Sequence, residues 1–444
     1  MIAGTEQRKP RLATGLAHVI VYVAVDVKRQ DDELMNGMMK IRLSTMMFFE
    51  YFIWGAWYVT VGTWMSSTLH FTGQQVGLVA GTTAVGAMVA PFLVGLVADK
   101  FFATEKILAT LHIVGGALLF LVAKQTSFVM VYMTLLLYCF CYMPTMALAN
   151  SLSFRQMKDT KEEFGAVRVL GTAGWIVAGL IVGLMKVEAT SLPLQLAAIV
   201  SLLMGLYCLT LPHTPPLAKA EGATPSGIFP KEAVFLLKDR SIAVFAIASF
   251  LVCIPLQFYY AFTNLFLNQI GVSNAAGKMT VGQISELLCM LLIPWFFRRL
   301  GVKYMLVSGM LAWVLRYALF AYGNVGGKMW MLWLGLAVHG ICYDFFFVTG
   351  QIYIDRKAST ALRAAAQGLI YFITYGMGMF VGSWLSGAVV EHYAVAGGGY
   401  DWRSVWIFPA IASLLVLAMF VVSFPKEKAD EGAPHKIEEA AVSK

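Results

Sequence analysis

Three acidic residues interrupt long apolar runs: Glu50, Glu286 and Asp344. An ionised carboxylate is costly in hydrocarbon, so an acid in such a run faces protein or water and is a functional candidate by default. The plainer alternative is a structural ion pair with Arg168 or Arg316, the two bases in or beside similar runs. In a low-dielectric cavity a carboxyl group binds and releases a proton near neutral pH. Asp344 and Glu286 are therefore candidate proton carriers, and Glu50 is a third. Arg168 keeps its charge throughout, and can stabilise an ionised acid in one state and let it go when that acid is protonated.

Spacing places polar neighbours beside these acids, because residues three, four or seven apart share one helix face. Arg168, Thr172 and Trp175 form one such row, and Gln257, Tyr260 and Asn264 form another. Gln283 and Glu286 stand three apart; His339 and Tyr343 stand four apart, with Asp344 adjoining. Each row joins hydrogen-bonding groups to aromatic surface, a mixture suited to a solute with a flat ring and several hydroxyls. A single Gln, Tyr or Asn in a span serves helix packing as often as binding. Four rows together point to a shared polar pocket. His339 titrates in the right range for proton work, and a packed neutral histidine is the equal alternative. Arg316 reads as chiefly structural, contacting carbonyls or a neighbouring acid.

The elements that carry these rows are apolar blocks. The chain has 444 residues, 59% hydrophobic and 13% charged, with a mean hydropathy of +0.71; soluble domains carry roughly 25% charged residues. Blocks of bilayer-spanning length fall at about 41–65, 76–98, 107–123, 128–150, 166–185 and 192–211, and again at about 241–267, 281–297, 304–322, 329–350, 364–389 and 404–424. The expected fold is an all-α integral membrane protein: twelve transmembrane helices in two six-helix halves, residues 39–211 and 241–424. A Pro-rich connector, 212–240, separates them, and a polar tail follows at 425–444. Carriers built from two repeated halves have this plan.

The net charge of +8 is distributed by topology, not gathered into a surface for nucleic acid. With a cytoplasmic N-terminus only Lys124, Lys186, Lys278, Lys328 and Arg403 fall on the outer side, and Arg168 and Arg316 within or at the edge of spans. The remaining basic residues are cytoplasmic, as the positive-inside rule requires. Residues 1–38 hold one weak apolar run, Leu12 to Val27, containing His18 and Asp26. It is too short and too polar to span, so a disordered extension, or a true start near Met38 and Met39, is expected. The six cysteines form no CxxC pair and no cluster with histidine, so neither a disulfide framework nor a metal site is read. No GxxxxGK[ST] loop is present, so pumping driven by ATP within this chain is not expected. Clustered ligands of a membrane enzyme are likewise missing. No cofactor is expected.

Between the second and third spans of each half lies a short charged loop: Gly95-Leu-Val-Ala-Asp99-Lys100 in the first, Phe297-Arg298-Arg299-Leu300-Gly301-Val302-Lys303 in the second. Gly95, Asp99 and Lys100 match the loop in which an acid and bases latch the halves of the major facilitator superfamily. Further motifs follow in order: Trp54-Gly-Ala-Trp57, Tyr142-Met-Pro-Thr145, Arg168-Val-Leu-Gly-Thr172, Gln283-Ile-Ser-Glu286, Leu315-Arg316-Tyr317, Tyr343-Asp344-Phe345-Phe346 and Arg363-Ala-Ala-Ala-Gln367-Gly368. From about residue 40 to 424 the chain resembles the bacterial nucleoside:proton symporters of that superfamily. The resemblance implies a central cavity in which Gln257 and Glu286 hydrogen-bond the solute, and a proton-linked network containing Arg168 and Asp344, with Thr172 and Gln283 also in binding or coupling roles. It departs from the family pattern at Glu50, Trp175, Tyr260, His339 and Tyr343. Proton-coupled uptake of nucleosides by a monomer in the bacterial inner membrane, both termini cytoplasmic, is the expectation. Carriage of a sugar or nucleobase-like metabolite is the alternative.

Overall fold

A computed structural model describes residues 37–93, 102–216, 234–359 and 362–425. The N-terminal extension through residue 36, most of the connector, the tail beyond 425 and the loop residues Gly95, Asp99 and Lys100 lie outside the described residues.

Among the described residues the chain is helical, with one isolated bridge, Ala394 to Tyr400. Helix α1 covers 37–57 and resumes after a turn as α2, Val61–Ser67. Helices α3, Gly73–Ala80, and α4, Thr82–Leu93, join at Gly81. Then come α5, Thr104–Val122; α6, Phe128–Gln156; α7, Thr160–Met185; and α8, Leu192–Cys208. Beyond the connector follow α9, Arg240–Gln269; α10, Ala275–Tyr322; α11, Met329–Lys357; α12, Ala365–His392; and α13, Trp402–Ser423. Eight of these helices are long and apolar enough to cross a bilayer, and α8 is a shorter apolar one. As one straight rod the 48 residues of α10 would reach about 72 Å at 1.5 Å per residue, more than twice the ~30 Å hydrocarbon core. It breaks at Gly301, where φ is +69° and ψ 173°, a backbone geometry open to glycine and strained for other residues. The expected boundary between two spans at 297–304 falls at this break.

Local signals begin the helices. Thr72 and Gln75 form a reciprocal capping box at α3, and the Asp239 carboxylate caps α9 by accepting from the N–H groups of Ser241 and Ile242. Asn274, in the left-handed region with φ 54°, caps α10 through its side chain. Large apolar side chains point outward, as in Leu184 at 70% and Val422 at 83% exposure. That surface is matched to lipid, not water. Two helices widen locally into π turns: Asp344–Val348 in α11 and Phe372–Gly378 in α12. Such single-turn widenings often mark functional sites. They stand side by side, joined by the hydroxyls of Tyr343 and Tyr375 at 2.6 Å.

The halves meet where α7 packs on α10, α3 on α12 and α2 on α9. A cavity remains between them.

Candidate substrate cavity

The first half supplies one wall: Tyr51 and Trp54 from α1, Tyr58 from the turn after it, Thr83 from α4, and Arg168, Thr172 and Trp175 from α7. The second half supplies Tyr260 from α9, Gln283 and Glu286 from α10, His339 and Tyr343 from α11, and Tyr371 and Tyr375 from α12. The space between these walls, about 840 Å³ including the part open to solvent, is lined chiefly by aromatic rings. Eight side chains singled out by helical spacing therefore meet in one place, drawn from four helices and both halves.

Aromatic contacts set the shape. The Arg168 guanidinium lies 3.9 Å above the Tyr51 ring, where the ring face attracts its charge. Trp54 meets Trp175 edge-on at 5.4 Å, and Tyr58 approaches Tyr260 across the interface at 5.5 Å. Opposite Arg168, Glu286 Oε2 stands 4.0 Å from His339 Nε2, and the His339 ring stacks on Tyr259 at 5.0 Å. The cavity thus offers ring faces for stacking, a carboxylate to accept hydroxyl protons, an amide with both donor and acceptor, and a fixed cation whose charge acts on Glu286.

Four proposed site residues lie elsewhere. Asn264 sits one turn beyond Tyr260, about 6 Å along the axis. There it accepts from Thr63 Oγ1 at 2.6 Å and donates to Glu188 Oε2 at 3.1 Å, so its amide is committed away from the cavity. Gln257 is fully buried behind the wall. Asp344 is also fully buried, and neither carboxylate oxygen has a hydrogen-bond partner. As the neighbour of Tyr343 it points roughly 100° around the helix from that cavity-lining side chain. Glu50, next to Tyr51, turns into the first half. Its Oε2 lies 2.9 Å from His112 Nε2 and its Oε1 accepts from Thr145 Oγ1 at 2.6 Å. His112 Nδ1 lies 3.3 Å from Ser201 Oγ. Glu50 is thus paired with a histidine, not with Arg168 or Arg316.

Arg316 donates through Nε to the Gly335 carbonyl at 3.1 Å and lies 4.2 Å over the Tyr259 ring, while its two terminal nitrogens are buried without a hydrogen-bond partner. Sequence reasoning missed His112 and the aromatic wall of the first half. The second had a signal: Tyr51, Trp54 and Tyr58 are spaced i, i+3, i+7. Tyr371 and Tyr375 are four apart, but Tyr371 precedes and Tyr375 lies within a π turn that ordinary helical periodicity does not predict.

Comparison with known proteins identifies the family. The family model described as nucleoside H+ symporter matches residues 37–429. The chain is similar to the putative nucleoside transporter YegT of Escherichia coli, 37% identical over 418 residues, 90% of this chain and 97% of that protein. It is similar also to the xanthosine permease of Escherichia coli, 34% identical over 89% of this chain and 98% of that protein. The crystal structure of the nucleoside transporter NupG superposes with a TM-score of 0.81 at 33% identity, covering 88% of this chain and 100% of that one. With a helical bundle of spanning length, a polar cavity between its halves and these likenesses over nearly its whole length, the chain belongs to the nucleoside H+ symporter family.

Proposed function

We propose that this protein is a secondary transporter that carries nucleosides inward with protons, by alternating access of a cavity between two six-helix halves, residues 39–211 and 241–424. The observation that carries the reading is that a fixed cation from the first half, Arg168, and a carboxylate from the second, Glu286, line one cavity inside a box of aromatic rings.

In this reading the base of the solute stacks among Trp54, Trp175 and Tyr260, while its sugar hydroxyls donate to Glu286 and exchange hydrogen bonds with Gln283. Protonation of the acids lowers the net charge that must cross the low-dielectric interior as the halves rock, which is the step that links proton and solute. Asp344, buried beside the cavity wall without a hydrogen-bond partner for either carboxylate oxygen, is the second proton carrier. Uncompensated burial favours the neutral form of such a group. Arg168 answers each change by strengthening or relaxing its hold on Glu286. The likeness of their loop motif supports a role for Gly95, Asp99 and Lys100 as a cytoplasmic latch. The bias of Lys and Arg toward one set of loops supports cytoplasmic termini in a protein of the bacterial inner membrane, and the lining of the cavity by a single chain supports a monomer.

Uptake of labelled uridine into proteoliposomes, with and without an inward proton gradient, tests substrate class and coupling together. Accumulation above the external concentration only with the gradient supports the reading. Binding without movement would sink it.

A further inference from the structure

The halves are joined by hydrogen bonds at the end of the bundle that bears the loops 68–72, 186–191, 270–274 and 393–401. There Glu188, just past α7 of the first half and only 4% exposed, reaches into the second half. It accepts from Asn264 Nδ2 at 3.1 Å and Asn268 Nδ2 at 2.6 Å, both on α9, and from the backbone N–H of Ala276, in the first turn of α10, at 2.9 Å. The reverse contact exists at the other seam. Glu391, in the last turn of α12 of the second half, accepts from the backbone N–H of Gly73, the first residue of α3 of the first half, at 2.7 Å. Each half thus lends one carboxylate to the positive N-terminal end of a helix in the other.

The seams beneath the carboxylates are built alike. On α3, a Cβ at Gly77 would stand 2.5 Å from the Ser383 carbonyl oxygen and 2.6 Å from the Gly387 Cα of α12. On α7, a Cβ at Gly183 would overlap Asn274 Oδ1 and stand 2.5 Å from the Gly277 nitrogen of α10. Gly73 and Gly77 are four apart, as are Gly179 and Gly183. This is the small-residue spacing that lets membrane helices approach backbone to backbone.

We propose that Glu188 and Glu391 are matched latches that hold the outer end of the transporter shut in this state, one at each glycine seam, and that they release together when the halves part. The inference rests on the two-half carrier reading of this protein. The bonds named for the two acids come from neutral donors: amide side chains and main-chain N–H groups. Water replaces such donors readily when the seam opens, so the latch is reversible. Neither acid lines the cavity, and their role is separate from proton and solute binding.

Hydrogen–deuterium exchange of the full chain in lipid nanodiscs, without solute, tests this independently of substrate class. In Glu188→Ala, amide exchange is expected to rise about tenfold at α10 residues 276–280, and equally at the distant α3 seam, residues 73–77. Glu391→Ala gives the converse, faster exchange at residues 276–280 as well as 73–77. Glu188→Gln, which keeps an acceptor oxygen, falls between. Exchange that rises only beside the mutated carboxylate, with the other seam still protected, overturns the proposal and leaves two independent helix caps. Should Glu188→Ala fail to fold, the Glu391→Ala arm decides the matter by the same criterion. Failure of the wild-type protein to move uridine, with both seams behaving as expected in the variants, would count against the substrate reading and not against the latches.

Discussion

Replacing Glu286 by glutamine separates coupling from binding. The amide has nearly the same shape and keeps one acceptor oxygen toward the cavity, where the Glu286 side chain is 20% exposed, but it cannot cycle a proton. A hydrogen bond to a charged group contributes about 1.5–3 kcal/mol and a neutral one about 1. The solute therefore loses about 1 kcal/mol of binding, roughly a fivefold rise in KM for exchange. Coupling loses everything that Glu286 supplies. With one proton per solute a gradient of one pH unit stores about 1.4 kcal/mol, enough for tenfold accumulation. Wild-type proteoliposomes at that gradient, with the membrane potential clamped at zero, should approach tenfold. Glu286→Gln vesicles should stop at equal concentrations inside and out, while still exchanging internal for external labelled uridine. If the variant accumulates tenfold as well, Glu286 is not a proton carrier and the coupling scheme fails at its first step.

Asp344→Asn should fold and melt within a few degrees of the wild type, because the amide occupies the same buried place without charge, and it should lose pH-driven accumulation in the same vesicle assay. For Glu50, the glutamine variant should retain transport and stability, since an amide can still meet Thr145 and His112. Glu50→Leu leaves the buried partners His112 and Thr145 without the carboxylate, at a cost of about 3 kcal/mol, read as a lowered Tm. Loss of accumulation in Glu50→Gln would show instead a coupling role for this acid. Trp175→Ala removes an aromatic wall worth about 1 kcal/mol beyond simple burial, so KM for a nucleoside should rise at least fivefold. KM unchanged within twofold would take Trp175 out of the stacking site. For Asp239, burial opposes ionisation, but hydrogen bonds from Ser241 and Ile242 and the Lys357 charge outweigh it, holding the carboxyl below its usual range. A depressed folded-state pKa gives stability that is present above the unfolded value, near 3.9, and lost as pH falls through the folded one. Asp239→Ala should therefore lower Tm at pH 7, by an amount equivalent to about 1 kcal/mol, and the gap to wild type should close below pH 4.

The rows at three- and four-residue spacing were legible because a cavity within a helical bundle selects one face per helix. Arg168, Thr172 and Trp175 lie on one face and arrive together. The same rule failed at Asn264 because face is only half of a position. Being on the cavity side of α9 does not keep a side chain level with the cavity, and one further turn placed it among Thr63 and Glu188. Asp344 was singled out by its cost in lipid, which sequence reveals, whereas its orientation behind the wall depends on a π turn, which sequence does not. The partnership of Glu50 with His112 joins residues 62 positions apart, and nothing local in either segment specifies it. Glu188 drew no notice because a carboxylate in a loop is ordinary; only the assembled halves reveal that it is buried.

The two π turns also constrain how this chain can vary. Each holds one residue more than a regular turn would, so removing a single residue from Asp344–Val348 or Phe372–Gly378 need not break its helix: the wide turn can tighten into an ordinary one. The stretches on either side would then keep nearly their former facing, because a π turn spends one residue more than an α turn on about the same sweep of angle. A codon lost elsewhere in α11 or α12 would instead turn the following stretch by about 100° and exchange which side chains greet the solute. The two wide turns are thus the places where either helix can shed a residue and still present the same wall.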